Sequence, residues 1–234
     1  MKQEVATIYK LTDMNMKTYG EYPWVLGKWN RTSGKGDLCG PGWLHAYTSP
    51  VLAELLDPIH ANFREYRLFR GEASGQVIRD SGLKVGYTNM RITEELPRLH
   101  ITTENRVRFG IACACRVYTS AEYRAWAGRW VSGADRTEAA ARVAVRAAST
   151  ARVAVRAAEA AAETAAAADT WAAEVAAEAA VWAVRAAEVA AEVAAEAAAE
   201  AAVWAVWAAE VAVGLPLCGL ATWAVGKDDL TAIL

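Results

Sequence analysis

The sequence predicts an α+β fold: a head with a small, twisted, mainly antiparallel sheet, followed by a long alanine-rich helical hairpin or bundle. Composition divides the chain. Residues 1–133 hold nearly all glycines and prolines and all three histidines, whereas residues 134–213 are mostly Ala, Val, Glu, Arg and Trp. The length of 234 residues allows two domains. We predict a mixed α/β head at 1–118, a connecting helix at 119–133, and a helical repeat tail with a closing segment at 134–234.

Three segments of the head are typical of strands. Residues 6–12 are rich in β-branched and aromatic side chains and end at Asp13. Residues 65–70 precede a glycine, and residues 85–93 follow a Ser-Gly turn and alternate in polarity. One predicted face of the last strand carries Val85, Tyr87, Asn89, Arg91 and Thr93. The other carries Gly86, Thr88, Met90 and Ile92.

The remainder of the head is predicted as loops and one helix. Residues 14–42 are rich in glycine, which indicates loops with one short strand near residues 24–29. The glycine spacing does not match a phosphate-binding loop. A helix is predicted over residues 51–56, because Ser49 fits the cap position and Pro50 fits the first turn.

The charge distribution argues against nucleic acid as a partner. Residues before Ala134 include 18 basic and 13 acidic side chains, and those from Ala134 onward include 7 and 14. Neither part has the dense basic face of a nucleic-acid binder. The longest uncharged run, after Glu210, contains Gly and Pro and is too short to span a bilayer, and the N-terminus lacks a signal-peptide core. We therefore expect a cytoplasmic protein with no membrane partner.

Cysteines and histidines do not form a metal or catalytic pattern in the sequence. Cys113 and Cys115 are one residue apart and are expected to be small buried helical residues. We predict no metal, no cofactor and no catalytic residue, although an enzyme stays open. His45 is the best functional candidate because aromatic residues flank it at a strand end; a satisfied sheet-edge histidine is the plainer interpretation. The predicted ligand-binding residues are Tyr9, Trp29, Trp43, His45 and Tyr47.

Two helices are predicted after the sheet. Residues 103–118 place apolar side chains at helical spacing, which indicates an amphipathic helix. Residues 119–122 form a capping box, and the helix that follows is expected to stop at Gly133. Its aromatic residues, three or four apart, are Tyr123, Trp126 and Trp130.

The tail pattern predicts long helices with two different faces. No Gly or Pro occurs between Asp135 and Val213, and the bulky and charged residues from Trp171 onward recur every three or four positions. They form a stripe opposite a smooth Ala and Val face. Basic residues occur early in the tail and glutamates later, which favours pairing of basic and acidic helices in an antiparallel hairpin or an oligomeric bundle. The alternative is that both rows of charged side chains are simply exposed to solvent. The predicted oligomer and packing residues are Trp171, Trp182, Arg185, Trp204 and Trp207.

Several motifs together carry a resemblance. The segments IYKLTD at 8–13, LCGPGWLH at 38–45 and RVRFGIACACR at 106–116, with the tryptophan-bearing alanine repeats, resemble uncharacterised phage and bacterial proteins described as immunity-protein-like. The chain differs in a short link after Cys115 and in having Glu where Asp is common. The resemblance implies a phage or prophage setting and a role in bacterial conflict.

Three functions follow as hypotheses. The first is a non-enzymatic anti-defence protein that sequesters a small nucleotide-derived immune signal and forms a homo-oligomer through its tail. The second is a protein-binding immunity or anti-defence protein that uses the acidic stripe. The third is an enzyme of ADP-ribosyltransferase-like shape, suggested by Tyr9 and Lys10 on a first strand and His45 after a glycine-rich loop.

Overall fold

A computed structural model describes residues 5–80, 82–118, 120–137, 140, 175, 178–179, 181–183, 204–209 and 215–226. The chain divides into two compact units, Met1–His100 and Ile101–Leu234, and each is described by itself. The first unit contains a mainly antiparallel sheet with short helices, and the second contains helices, so the α+β class is confirmed.

The sheet of the first unit closes on itself. In the order β1, β6, β7, β5, each strand pairs antiparallel with the next, and Tyr47, just after β5, forms a bridge back to Tyr9 of β1. Strand β4 pairs with β7 farther along, and β2 pairs with β3 in a separate hairpin. Closure leaves no free edge between β1 and β5. The strands are β1 (Ala6–Thr12), β2 (Lys17–Thr18), β3 (Tyr22–Pro23), β4 (Asn30–Arg31), β5 (Leu44–Ala46), β6 (Arg67–Asp80) and β7 (Lys84–Leu96).

The interior of this closed sheet is apolar and is completed by a tryptophan from a loop. Trp24, directly after β3, is buried with the strand residues, and its Nε1 donates to Thr18 Oγ1 at 3.0 Å. A strand near residues 24–29 was predicted wrongly, because these residues form a loop that directs Trp24 inward. The core residues are Ile8, Trp24, Leu44, Ala46, Phe69, Ala73, Val85, Tyr87, Met90 and Ile92.

Two short helices follow β5, and the first of them covers the outer face of β1. Helix α1 (Pro50–Leu55) begins with Pro50 in its first turn, as predicted, although Ser49 makes no side-chain cap hydrogen bond. Helix α2 (Asp57–His60) follows at once with Pro58 in its first turn. Leu11 and Leu68 face each other across β1 and β6 and are buried with the leucines of α1.

One carboxylate is fully buried in this layer. Glu54 of α1 has no exposed surface, and its two oxygens accept hydrogen bonds from the Tyr66 hydroxyl and the Leu99 amide, each at 2.8 Å. Burial, and then Glu54, raise the pKa of Tyr66 to about 12. Glu54 therefore ties the start of β6 and the segment after β7 to α1.

The second unit is built on helices α3 (Thr103–Val117), α4 (Ala121–Ser132) and α5 (Leu217–Val225). Thr102 and Asn105 form a reciprocal capping box at the start of α3. Helix α4 ends at Gly133, which has the positive φ of 78° expected of a helix-ending glycine, as the sequence predicted. Helix α5 packs against α3, where the Asn105 side chain donates to Ala224 O at 3.0 Å.

Parts of the tail are described, and they separate into two faces. Ala179, Ala183 and Val206 are fully buried, whereas Trp204 and Trp207 are 38% and 44% exposed. Within these helical residues the face formed by Ala and Val is therefore the buried one. The predicted long hairpin and most of the glutamate stripe lie outside the described residues. Among the helices that the structure does describe, none has the length and apolar character to cross a bilayer.

Candidate functional site

The candidate site lies on the outer face of β5. Leu44 and Ala46 point into the core, so Trp43, His45 and Tyr47 share the opposite face. His45 lies opposite Gly86 of β7. A Cβ atom at Gly86 would lie 2.5 Å from Leu38 Cδ1, so the glycine gives the loop before β5 room to cover this face.

The loop before β5 fixes the imidazole of His45. Nε2 of His45 is hydrogen-bonded to the carbonyl oxygen of Leu38, and Trp43 Nε1 donates to Gly36 O at 2.9 Å. A carbonyl oxygen can only accept, so Nε2 carries the proton and Nδ1 of the neutral ring holds a lone pair. The structure thus presents a hydrogen-bond acceptor at Nδ1 of His45.

A second histidine reaches the same face from α2. The rings of His60 and Tyr47 stack with centroids 5.9 Å apart, and His60 Nδ1 lies 3.2 Å from the Tyr47 hydroxyl. Tyr47 is buried, and burial raises the pKa of its hydroxyl, with Asp57 as a smaller cause. Tyr47 therefore stays protonated and orients His60.

A lysine and a cysteine complete the group. Lys84, the first residue of β7, donates from Nζ to the sulfur of Cys39 at 3.1 Å. Cys39 is exposed and Lys84 is half-buried. We call His45, Tyr47, His60, Lys84 and Cys39 the histidine cluster.

Burial and positive charge keep both imidazoles of the cluster neutral. The pKa of His45 is lowered by burial, and Lys10 and Lys84 lower it further, against the opposing effect of the Leu38 hydrogen bond. Burial, then Lys84 and His45, lower the pKa of His60 to about 4. At neutral pH the cluster therefore has two uncharged rings beside one ammonium group.

This arrangement predicts a measurable effect of Lys84 on both histidines. We expect Lys84→Met to raise the pKa of His45 and of His60, because it removes a positive charge that opposes protonation of each ring. The rise should be the smaller part of each shift, since burial is the larger cause in both. NMR titration of the imidazole resonances measures it. The control is Lys28→Met, at an exposed loop lysine; an equal rise in that variant would contradict the assignment.

The structure brings four of the five predicted ligand residues together. Trp43, His45 and Tyr47 share one face, and Tyr9 joins Tyr47 through two backbone hydrogen bonds of 2.9 and 2.8 Å. Trp29 lies elsewhere, with the guanidinium of Arg91 over its ring at 4.9 Å. Arg91 is five residues beyond Gly86 on β7, or about 17 Å at the rise of a strand.

Sequence reasoning missed His60, Lys84 and Cys39. His60 lies 15 positions after His45 in the chain, with a helix between them. Lys84 lies 45 positions after Cys39. These contacts depend on closure of the sheet and on the turn between α1 and α2. The separations in the sequence carry no signal for them.

The donors, acceptors and charge of the cluster suit a bound ligand better than a metal ion. No group of three or more His, Cys, Asp or Glu suited to a metal occurs within the described ranges. Neutral imidazoles offer both a donor and an acceptor, and a lysine ammonium attracts anions. A planar ligand with an anionic group matches these features.

The predicted packing residues of the tail are described only in part. The indole of Trp204 contacts those of Trp182 and Trp207, with centroids 6.5 and 5.9 Å apart. The helical residues that carry Trp182 and Trp204 are therefore neighbours. Trp171 and Arg185 lie outside the described residues.

The comparisons with known proteins give no relative for this site. The chain matches no protein-family model, no curated protein and no solved structure.

Proposed function

We propose that the protein is a non-enzymatic anti-defence protein whose head sequesters a small nucleotide-derived signal at the histidine cluster. The observation that carries this proposal is the charge of the cluster. Lys84 has no carboxylate oxygen within 4.0 Å in the described part of the chain, whereas Arg67, Arg70 and Arg91 each form an ion pair with a glutamate. A lysine without a carboxylate partner beside two neutral imidazoles favours an anionic ligand.

The aromatic residues around Lys84 favour a planar ligand. Trp43 and Tyr9 are half-buried on the face of Tyr47, which leaves part of each ring open for stacking. His45 Nδ1 can accept a hydrogen bond from an amino group of a base. A nucleotide combines a flat base with a phosphate, so it satisfies the rings and Lys84 together.

The choice of a bacterial immune signal rests on the resemblance to phage and bacterial immunity-protein-like chains. The oligomer is supported by the half-exposed pair Trp204 and Trp207, since large exposed indoles are typical of interfaces. In this proposal the tails of several chains form a homo-oligomer, and one oligomer then binds several ligands through its heads.

The test is calorimetric titration of the full chain with cyclic dinucleotides and cyclic ADP-ribose isomers. We expect one member to bind and Lys84→Ala to weaken it about tenfold or more, since a charge-assisted hydrogen bond contributes about 1.5–3 kcal/mol. His45→Ala should weaken it several-fold, since a neutral hydrogen bond contributes about 0.5–1.5 kcal/mol. Binding should also weaken as salt is raised.

Lys28→Ala and His100→Ala are the matched controls, because both residues are exposed and neither belongs to the cluster. Equal losses in the controls, or no binding across the panel, would overturn the proposal.

The two alternative functions have their own readouts. A stoichiometric protein captured from host lysate would favour protein binding, and turnover of NAD⁺ that is lost in His45→Ala would favour the enzyme.

A further inference from the structure

The inner face of β1 carries a charged residue where an apolar one is expected. Ile8, Lys10 and Thr12 alternate on that face and all are buried. Lys10 lies opposite Phe69 of β6, which belongs to the apolar core. With 6% of its surface exposed, Lys10 places its amine inside the closed sheet, on the other side of β5 from the histidine cluster.

The surroundings of this amine are almost entirely apolar. Nζ of Lys10 donates to the carbonyl oxygen of His45 at 2.6 Å and lies 4.5 Å from the centre of the Trp24 ring. No carboxylate oxygen lies within 4.0 Å of it in the ranges that the structure covers. Burial lowers the pKa of Lys10 to about 7, so a large share of the amine is uncharged at neutral pH.

An uncharged, desolvated lysine amine is a nucleophile toward carbonyl carbon. A methionine would fill a similar space without the cost of burying a charge, which points to a chemical use of the amine. The apolar walls favour a small apolar carbonyl compound over a sugar or a keto acid.

Trp24 is positioned to control access to this amine. Its ring lies over Nζ, and its indole nitrogen is held by Thr18 of the β2–β3 hairpin. That hairpin begins after Met16 and includes Glu21, both with a φ of 59°, an uncommon conformation for residues other than glycine. The hairpin surface is open, since Tyr19 is fully exposed. The ring that covers Nζ is thus held in place by a hairpin whose outer surface is open.

We propose that Lys10 is an imine-forming lysine that takes a small apolar aldehyde, with Trp24 as its movable cover. The nitrogen lone pair attacks the carbonyl carbon, and the carbonyl oxygen takes a proton to give a carbinolamine. Loss of that oxygen as one water molecule leaves a C=N bond to Nζ. The step needs no oxidant or reductant, and the water-poor interior slows hydrolysis of the product.

The test is reductive trapping of the full chain with butanal and sodium cyanoborohydride near neutral pH, followed by peptide mapping. Hydride from the reagent converts the imine to a stable secondary amine, so a modified lysine gains one butyl group. We expect Lys10 to be labelled about tenfold faster than the exposed Lys28, because burial leaves a large share of the Lys10 amine uncharged at this pH. The N-terminal amine also reacts and is distinguished by the map.

Two further readouts separate chemistry from a structural role. Labelling of Lys10 should level off above about pH 7, because most of its amine is then uncharged. The imidazole of His45, whose pKa is lowered by burial and by Lys10 among its neighbours, stays neutral over this range. Thr18→Val removes the hydrogen bond to Trp24 with little change in shape, and it should speed labelling of Lys10 several-fold without affecting Lys28.

Peptide mapping of the unaltered protein decides the result, so no variant needs to fold. Labelling confined to the surface lysines and the N-terminus, with Lys10 unmodified, overturns the proposal. Labelling of Lys10 at the same rate and with the same pH profile as Lys28 overturns it as well. Neither outcome depends on nucleotide binding at the histidine cluster.

Discussion

Replacement of Glu54 by alanine should destabilise the first unit by about 3 kcal/mol, the cost typical of leaving buried hydrogen-bond donors unpaired. Glu54 has no exposed surface and accepts hydrogen bonds from the Tyr66 hydroxyl and the Leu99 amide. Alanine leaves the Tyr66 hydroxyl buried without its acceptor, removes the acceptor of the Leu99 amide, and also leaves a cavity in α1. Urea titration of the full chain, read by hydrogen exchange of β6 and β7 peptides, reports this unit alone.

Two other variants define the cause of the loss. Glu54→Gln keeps the volume, but its amide nitrogen cannot accept, so one of the two donors loses its partner and an intermediate loss is expected. Glu94→Ala breaks an ion pair with Arg70 in which both side chains are about half exposed, and it should change the stability by no more than about 0.5 kcal/mol. A similar loss at Glu54 and Glu94 would mean that burial of the carboxylate is unimportant.

The parts of the fold that could be predicted are those with local signals. Strand β1 occurs at the predicted residues 6–12, and α4 ends at Gly133 because a helix-ending glycine has a local backbone cause. The buried cysteines of α3 were also predicted from spacing alone. Each of these depends on residues within one turn or one strand.

The sheet could be predicted only in part, because its irregularities come from distant pairing. Strand β6 was expected to end before Gly71, yet it continues through a register shift there to Asp80. Val85 and Met90 were assigned to opposite faces of β7, but both join one core. A second register shift, between Ser74 and Val77 of β6, lies opposite the point where the buried positions change. A prediction that simply alternates side chains between the two faces of a strand cannot reveal such a shift.

The candidate site was predicted where it lies on one strand and missed where it depends on closure. Strand β5 carries His45, and Trp43 and Tyr47 flank the strand two positions away on either side. Because successive side chains of a strand point to opposite faces, the sequence alone places these three on one face. His60 and Lys84 join them only because α2 folds over this face and β7 pairs with β5. The burial of Lys10 could not be predicted, because a lysine in a strand is normally assigned to the solvent face.

Lys10→Met should stabilise the first unit by about 2–3 kcal/mol at about pH 6. The pKa of Lys10 falls from 10.5 to about 7 in the folded protein, and each unit is about 1.4 kcal/mol. The full shift would cost about 5 kcal/mol, from which the variant's lost contacts with the His45 carbonyl and the Trp24 ring are subtracted. The same urea titration with hydrogen exchange measures this gain.

The pH dependence of this gain identifies its cause. Between about pH 7 and 10.5 the unfolded chain binds more protons at Lys10 than the folded protein does, so the unfavourable contribution of Lys10 to stability shrinks as pH rises across this window. Below pH 7 the cost is complete, and above 10.5 it is absent. The advantage of Lys10→Met should therefore be constant in acid, fall as the pH rises above about 7, and disappear before pH 10.5, where the remaining cost no longer exceeds the contacts that the variant has lost. Lys28→Met should show no such trend. A loss of stability in Lys10→Met at about pH 6 would mean that the ammonium is a net structural contact, which would remove the physical reason for a reactive amine in this interior.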